Sequence, residues 1–402
     1  MPGGTSLSPE PDRRLQTRAV HPPSPPPQPG EPLALRLDPS TTFSFSDAGA
    51  FARASAEKVG AGYTYSRWAN PTVDAFEAAV ADLEGAAEAE AFSSGMAAIA
   101  AIFLSMCSSG DHFVAARQVY GGTHELMESR LPRYGISARI FDVSDFAGIA
   151  QALEGARLLF CETIGNPRVQ VADLDKLGAL TAEAGVPLVV DNTFASPVLC
   201  RPLEHGASAV VHSATKFLGG HHDLLGGIVC ADGALVRKLQ ELGRDFGATL
   251  SPFNAWLAVR GLATVGLRVD RSCSSALAVA RSLKSHAGVA AVHYPALEGD
   301  PGKNLAEKLL GGMGGGVLGL EVAGGRERAA RFQEALRLVT PAASLGGHHS
   351  LLVHAASITH TQLSPEELES AGISEGFCRL SVGLEDPADI ASDLICALDS
   401  SG

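Results

Sequence analysis

The sequence predicts an α/β fold, a mostly parallel sheet covered by helices, followed by a smaller α+β C-terminal domain. Three observations lead there. Apolar stretches of strand length at residues 112–115, 138–141, 158–161, 188–190, 209–211 and 227–230 alternate with helical stretches, the pattern of crossover units in one sheet. Polar clusters follow the ends of several of these stretches, so they would gather along one sheet edge, where open α/β sheets hold ligands. Beyond residue 255 a long helical run gives way to short strand candidates at 290–294, 317–322 and 377–382, mixed with helices.

In chain order, residues 1–32 form a Pro-rich leader with little apolar periodicity, read as a disordered tail. Residues 33–62 read as an N-terminal arm. Residues 63–255 would form the ligand-binding domain and 256–402 the C-terminal domain. At its start, Asn70 can cap a helix, Pro71 suits the first turn, Val73, Phe76, Val80 and Leu83 share one face, and Gly85 ends it. The loop before it, with Tyr65 and Arg67, is a polar cluster that helix packing leaves unexplained. Ser93, Ser94, Gly95 and Met96 then open an apolar helix. Its free N–H groups suit an anion such as phosphate, although serine capping alone would also account for the serines.

After the strand candidates come Tyr120 with Gly121–Thr123, then Glu162 with Thr163 and Asn166, then Asp191 with Asn192 and Thr193, and finally Ser213, Thr215 and Lys216. A lysine in a loop is, by itself, an ordinary surface residue. Here it follows a β-branched run and sits among hydroxyls and glycines. The run from Ser251 is helical and loosened by Gly261 and Gly266, and Ser364–Glu367 makes a capping box for a later helix. The glycine-rich stretch 311–316 lacks the context of a nucleotide cradle and reads as a flexible loop.

The composition narrows the function classes. The chain has 402 residues, 46% of them hydrophobic, enough for two domains with substantial cores. A net charge of -13 without a basic run disfavours nucleic acid and anionic membranes, and no apolar run is long enough to span a bilayer. The expected location is the cytoplasm. The seven cysteines are scattered with no C-x-x-C pair, which argues against a disulfide framework and a zinc knuckle.

A ligand with a phosphate at Gly95 and an electrophilic carbonyl at Lys216 is better described as pyridoxal phosphate than as a nucleotide. That cofactor needs an imine-forming lysine, a carboxylate opposite its ring nitrogen and a hold on its phosphate. Lys216, Asp191 and the group Gly95, Met96, Ser213 and Thr215 supply these, with Tyr120 available to cover the ring. Asp191 could equally cap a turn. The absence of a G-x-G-x-x-G after any strand disfavours a dinucleotide-dependent oxidoreductase.

Together YSRWANPT (65–72), SSGMAAI (93–99), YGGT (120–123), ETIGNP (162–167), DNTFASP (191–197), HSATKFLGGHHD (212–223), SPFNAWLAVRGLATV (251–265), SLGG (344–347) and RLSVGLED (379–386) resemble the Cys/Met metabolism (trans-sulfuration) pyridoxal-phosphate enzymes, a family that includes cystathionine γ-lyase, cystathionine γ-synthase, methionine γ-lyase and homoserine-ester sulfhydrylases. The resemblance runs from about residue 40 to the C-terminus. It implies the type I aminotransferase-like fold with a seven-stranded sheet, and a homotetramer of close dimers. It implies that Lys216 holds the cofactor, Asp191 pairs with its ring nitrogen, and Tyr120 stacks on the ring and handles protons at the leaving group. Gly95, Met96, Ser213 and Thr215 would hold the phosphate, and Tyr65 and Arg67 would reach the phosphate of the neighbouring subunit. Arg379 would bind the substrate carboxylate, helped by Ser344 and Asn166.

The expected activity is carbon–sulfur bond cleavage by γ- or β-elimination on a sulfur amino acid such as methionine or cystathionine, giving an α-keto acid, ammonia and a thiol. The alternatives are a γ-replacement enzyme, such as a cystathionine γ-synthase or an acetyl- or succinylhomoserine sulfhydrylase, and a silent protein that keeps the fold. Gly122 stands where methionine γ-lyases carry cysteine, Arg244 where they tend to carry lysine, and His349 matches neither the acidic residue of the cystathionine enzymes nor the lysine of sulfhydrylases. The compact GGHHDLLGG favours the lyase side. His221, His222 and Asp223 match the family's GH-x-D loop, and no metal is expected there.

Overall fold

The computed structural model describes residues 13–24, 29–56, 62–359, 368 and 372–402. Seven strands make the large sheet: β1 (Glu88–Phe92), β2 (His112–Ala116), β3 (Ser137–Phe141), β4 (Leu159–Glu162), β5 (Leu188–Asp191), β6 (Ala209–Ser213) and β7 (Gly227–Ala231). Their order is β1-β7-β6-β5-β4-β2-β3, and β7 alone runs against its neighbours. β4, β5 and β7 are buried along their whole length, as expected of central strands covered on both faces. The mostly parallel sheet and the smaller domain expected from the sequence are both present. β1, with sequence EAEAF, was not among the predicted strands because its small and charged residues lack the β-branched signature.

Helix Pro71–Glu84 starts and ends where its residues dictate. The Asn70 side chain accepts from the Thr72 N–H, and Gly85 closes it in the left-handed conformation at φ 76°. Helix Gly95–Met106 is capped by the Ser94 hydroxyl, which accepts from the Ala97 N–H. Its first residue lies against β6, and a Cβ at 95 would fall 2.7 Å from Ser213 Cβ. Glycine is therefore required for the helix to start there.

The helical run after Ser251 divides into helices Pro252–Leu262 and Val265–Leu283. The loop around Lys216 is held by the second of these. Arg268 is buried and donates to the carbonyls of Phe217, Leu218 and Gly261 at 2.7, 3.3 and 2.7 Å. The expected boundary at 255/256 falls inside the first helix. Side chains pass from the first core to the second between Cys273 and Ala276.

The C-terminal sheet contains β8 (Val289–His293), β9 (Val317–Val322), β10 (Thr340–Pro341), β11 (Leu351–His354) and β12 (Phe377–Ser381), in the order β10-β11-β12-β9-β8. The glycine-rich stretch packs between the domains: Gly314–Gly316 are buried, and the Tyr294 hydroxyl donates to the Gly315 carbonyl at 2.9 Å. The Pro-rich leader needs correction within its described part. Helix Leu15–Val20 buries Ala19 and ion-pairs Arg18 with Asp82 at 2.8 Å, so this part of the tail is ordered against the first domain. The capping box Ser364–Glu367 lies outside the described residues. Among those described, no helix is long and apolar enough to cross a membrane.

Candidate active site

The carboxyl ends of β4, β5 and β6 deliver Glu162, Asp191 and Ser213 to one edge, and Lys216 follows three residues later. From the second domain, β12 brings Arg379 and the loop before β11 brings Ser344. These meet. Lys216 Nζ donates to the Ser344 hydroxyl at 2.9 Å. Arg379 donates from Nη1 to Asn166 Oδ1 at 3.1 Å and from Nη2 to the Ser344 carbonyl at 3.0 Å. Arg379 is 4% exposed and its Nε is buried without a partner. A guanidinium in that state has donor capacity for an incoming anion.

Two cations share this small volume. Burial, then the neighbouring Arg379, pulls the Lys216 amine down to about 8. Arg379 is itself lowered to about 10 by burial, opposed by Tyr120 and Glu162, and remains charged at neutral pH. Glu162 is pushed well above the carboxylate range by burial and by Asp191, against the lowering effect of the Tyr120 and Asn166 N–H groups it accepts from at 2.6 and 3.2 Å. Asp191 is raised by burial, and Thr193 and His212 oppose the rise. A cation opposite Asp191 would compensate its burial.

Behind this edge lies a buried network that sequence reasoning missed. His212 on β6 meets Glu84 at 2.5 Å, and Asn192 donates to the same carboxylate at 2.9 Å and to the Cys200 carbonyl at 2.8 Å. Both Glu84 and His212 are about wholly buried. Thr193 links the strands: its N–H donates to Asp191 and its hydroxyl accepts from the Ser213 N–H at 2.8 Å. An acidic residue in the last turn of a helix gives no sequence signal for such a role.

At the Gly95 helix, the Ser94 hydroxyl occupies the Ala97 N–H, while the first N–H groups lie outside the helical ladder. Met96 sits within 4.0 Å of the Thr123 hydroxyl, and Thr215 pairs with the backbone of Gly226. Tyr120 is 43% exposed, and a Cβ at 122 would fall 2.5 Å from its ring. Gly122 therefore gives the ring space that a cysteine there would take.

Tyr65 and Arg67 stand apart from this cluster within one chain. Arg67 lies over the Tyr65 ring and donates to the Arg244 carbonyl at 2.8 Å, and the Arg244 guanidinium lies over Trp68. Arg67, Trp68 and Arg244 line a separate groove of about 840 Å³, so Arg244 belongs with them and not with Lys216. His349 lies on the loop after Ser344, beside His348 and His222.

A family model for Cys/Met metabolism PLP-dependent enzymes matches residues 16–399. The chain is 39% identical to L-methionine gamma-lyase of Pseudomonas putida over 96% of this chain and 97% of that one. It is 40% identical to O-succinylhomoserine sulfhydrylase of Pseudomonas aeruginosa over 83% of each. A crystal structure of a protein from Campylobacter jejuni, which holds N'-pyridoxyl-lysine-5'-monophosphate, superposes with a TM-score of 0.91 at 31% identity over 96% of this chain and 100% of that one. The chain belongs to the Cys/Met metabolism family of pyridoxal-phosphate-dependent enzymes.

Proposed function

We propose that the protein is a carbon–sulfur lyase that eliminates the sulfur substituent of an amino acid such as methionine or cystathionine, yielding an α-keto acid, ammonia and a thiol. The observation that carries this reading is the meeting of Lys216, Ser344 and Arg379 at one sheet edge. Arg379, with an unpartnered buried Nε, receives the substrate carboxylate. That fixes the Cα–H bond relative to Lys216, whose amine has a substantial neutral fraction near pH 8 and takes the proton.

The residues present fit pyridoxal phosphate. The N-terminus of helix Gly95–Met106, with Ser213 and Thr215, would hold the phosphate, Asp191 would pair with the ring nitrogen, and Tyr120 would cover the ring. When bound, the cofactor supplies a ring that accepts the electron pair left at Cα. Lys216 and Tyr120 then handle the protons: one leaves Cβ, and one reaches the departing sulfur. Ser344 holds the Lys216 amine on the substrate side, and Asn166 keeps the Arg379 fork in plane.

Tyr65 and Arg67, apart from their own Lys216, are assigned to the site of a neighbouring copy, which makes a close dimer necessary for activity and a homotetramer the proposed assembly. All seven cysteines are free, in keeping with a reducing compartment, and the cytoplasm is the proposed location. A γ-replacement reaction is the second reading, favoured by the equal likeness to the succinylhomoserine enzyme. Assaying methionine, cystathionine, cysteine and acetyl- and succinylhomoserine, with and without an added thiol, separates the two. Keto acid without thiol supports elimination, and a thioether formed only with thiol supports replacement.

A further inference from the structure

We propose that His222, His348 and His349 form a binding site for one divalent transition-metal cation, of which zinc is the representative, beside the Lys216 site. The three come from two loops far apart in sequence, His222 after Lys216 and His348–His349 after Ser344. One ligating nitrogen from each lies within 4.8 Å of the other two. The His348 and His349 rings are 4.2 Å apart, and the His222 ring lies 5.6 and 6.2 Å from them, within 12° of parallel to His349.

Tetrahedral zinc, at about 2.0–2.1 Å from each nitrogen, requires nitrogens about 3.3 Å apart. Closing to that spacing requires rotation of the His222 and His349 side chains, both of which are exposed. Gly347 makes the approach possible, since a Cβ there would fall 2.0 Å from His222 Nε2.

A second, independent observation points to a ligand. His348 Nδ1 is buried and has no hydrogen-bond partner, a state that carries a desolvation cost with nothing to offset it. Coordination of a metal by Nδ1 supplies that atom with the partner it lacks.

The ligand class follows from the donors. Three imidazoles with no carboxylate among them suit zinc, copper, nickel or cobalt and disfavour magnesium and calcium. Three protein ligands also leave a coordination position open for water or a thiolate. The triplet His221, His222 and Asp223 is not the site: His221 instead contacts the Gly219 carbonyl at 2.7 Å. This inference stands on the imidazoles alone and is independent of the reaction assigned to Lys216.

The test uses the full-length, cofactor-loaded protein, stripped with EDTA, returned to metal-free buffer and titrated calorimetrically with zinc chloride and with magnesium chloride. The expected result is one zinc per chain, no magnesium binding, and zinc affinity weakened about tenfold or more by His349→Ala and by His222→Gly. Glycine at 222 suits the left-handed backbone there, φ 60°, and exposed His349 carries little folding risk, so folded variants are available. Failure of the wild-type protein to bind zinc overturns the proposal. So does undiminished zinc binding in the double variant, which would place the metal elsewhere, for instance at the exposed Cys396 thiol.

Discussion

Lys216 reaches across the domain junction to Ser344: its Nζ donates to that hydroxyl over 2.9 Å, between residues 128 positions apart in the chain. The bond aims an amine that burial and Arg379 have already made easier to deprotonate. In the cofactor-free protein, modification of Lys216 by an aldehyde reagent is therefore expected to rise with pH through a midpoint near pH 8, where an unperturbed lysine would have its midpoint at about 10.5. The matching stability effect has a definite sign. With its folded value depressed, Lys216 makes an unfavourable contribution that is fully present below pH 8 and is relieved as pH rises through 10.5. Peptide mapping of the modified protein across this range measures the midpoint.

Arg379→Lys keeps the charge and loses the planar fork that bonds Asn166 and Ser344 and is proposed to receive the substrate carboxylate. The expected result is a KM raised about tenfold to a hundredfold, with kcat changed less. Steady-state kinetics on one amino-acid substrate give both numbers. An unchanged KM would remove Arg379 from substrate binding.

Glu84→Ala leaves His212 and the Asn192 amide buried without their shared acceptor. Destabilisation of about 1–3 kcal/mol for each donor left without an acceptor is expected, because a buried polar group stripped of its partner keeps its desolvation cost. Denaturant unfolding of the holoenzyme measures it. Glu84→Gln keeps an acceptor and is expected to cost less.

The assignment of Tyr65 and Arg67 to a neighbouring site predicts complementation. Arg67→Ala and Lys216→Ala are each expected to be nearly inactive. Mixed and allowed to exchange subunits, they should regain up to about a quarter of wild-type activity, since half the dimers then carry one intact site. No recovery, with light scattering showing exchanged oligomers, would place Arg67 outside the shared site.

Much of the fold was legible because its strands obey simple chemistry. Residues 188–190 and 209–211 are apolar, β-branched and bounded by turn residues, and they become the buried β5 and β6. Caps at Asn70 and Ser94 were equally plain. β1 was hidden because EAEAF takes its strand character from pairing with β7, a long-range contact. Helix Leu15–Val20 was hidden because its order comes from docking, through Ala19 and the Arg18–Asp82 pair, and hardly from its own periodicity. At the site, the residues proposed to touch cofactor and substrate carry strong local signals, while those behind them do not. Glu84 reads as an ordinary end-of-helix acid, Arg268 as a polar-face arginine, and His348 as a loop residue. Their partners lie on other elements, and only the fold brings them together.

The central claim, that Lys216 drives elimination from a sulfur amino acid, is tested most directly by α-keto acid release from methionine and cystathionine without added thiol, in the wild-type protein and in Lys216→Ala. Wild-type protein is expected to purify yellow and release keto acid from at least one of the two. Lys216→Ala is expected to lose the colour and the product together. Keto acid formed at the wild-type rate by Lys216→Ala would contradict the account.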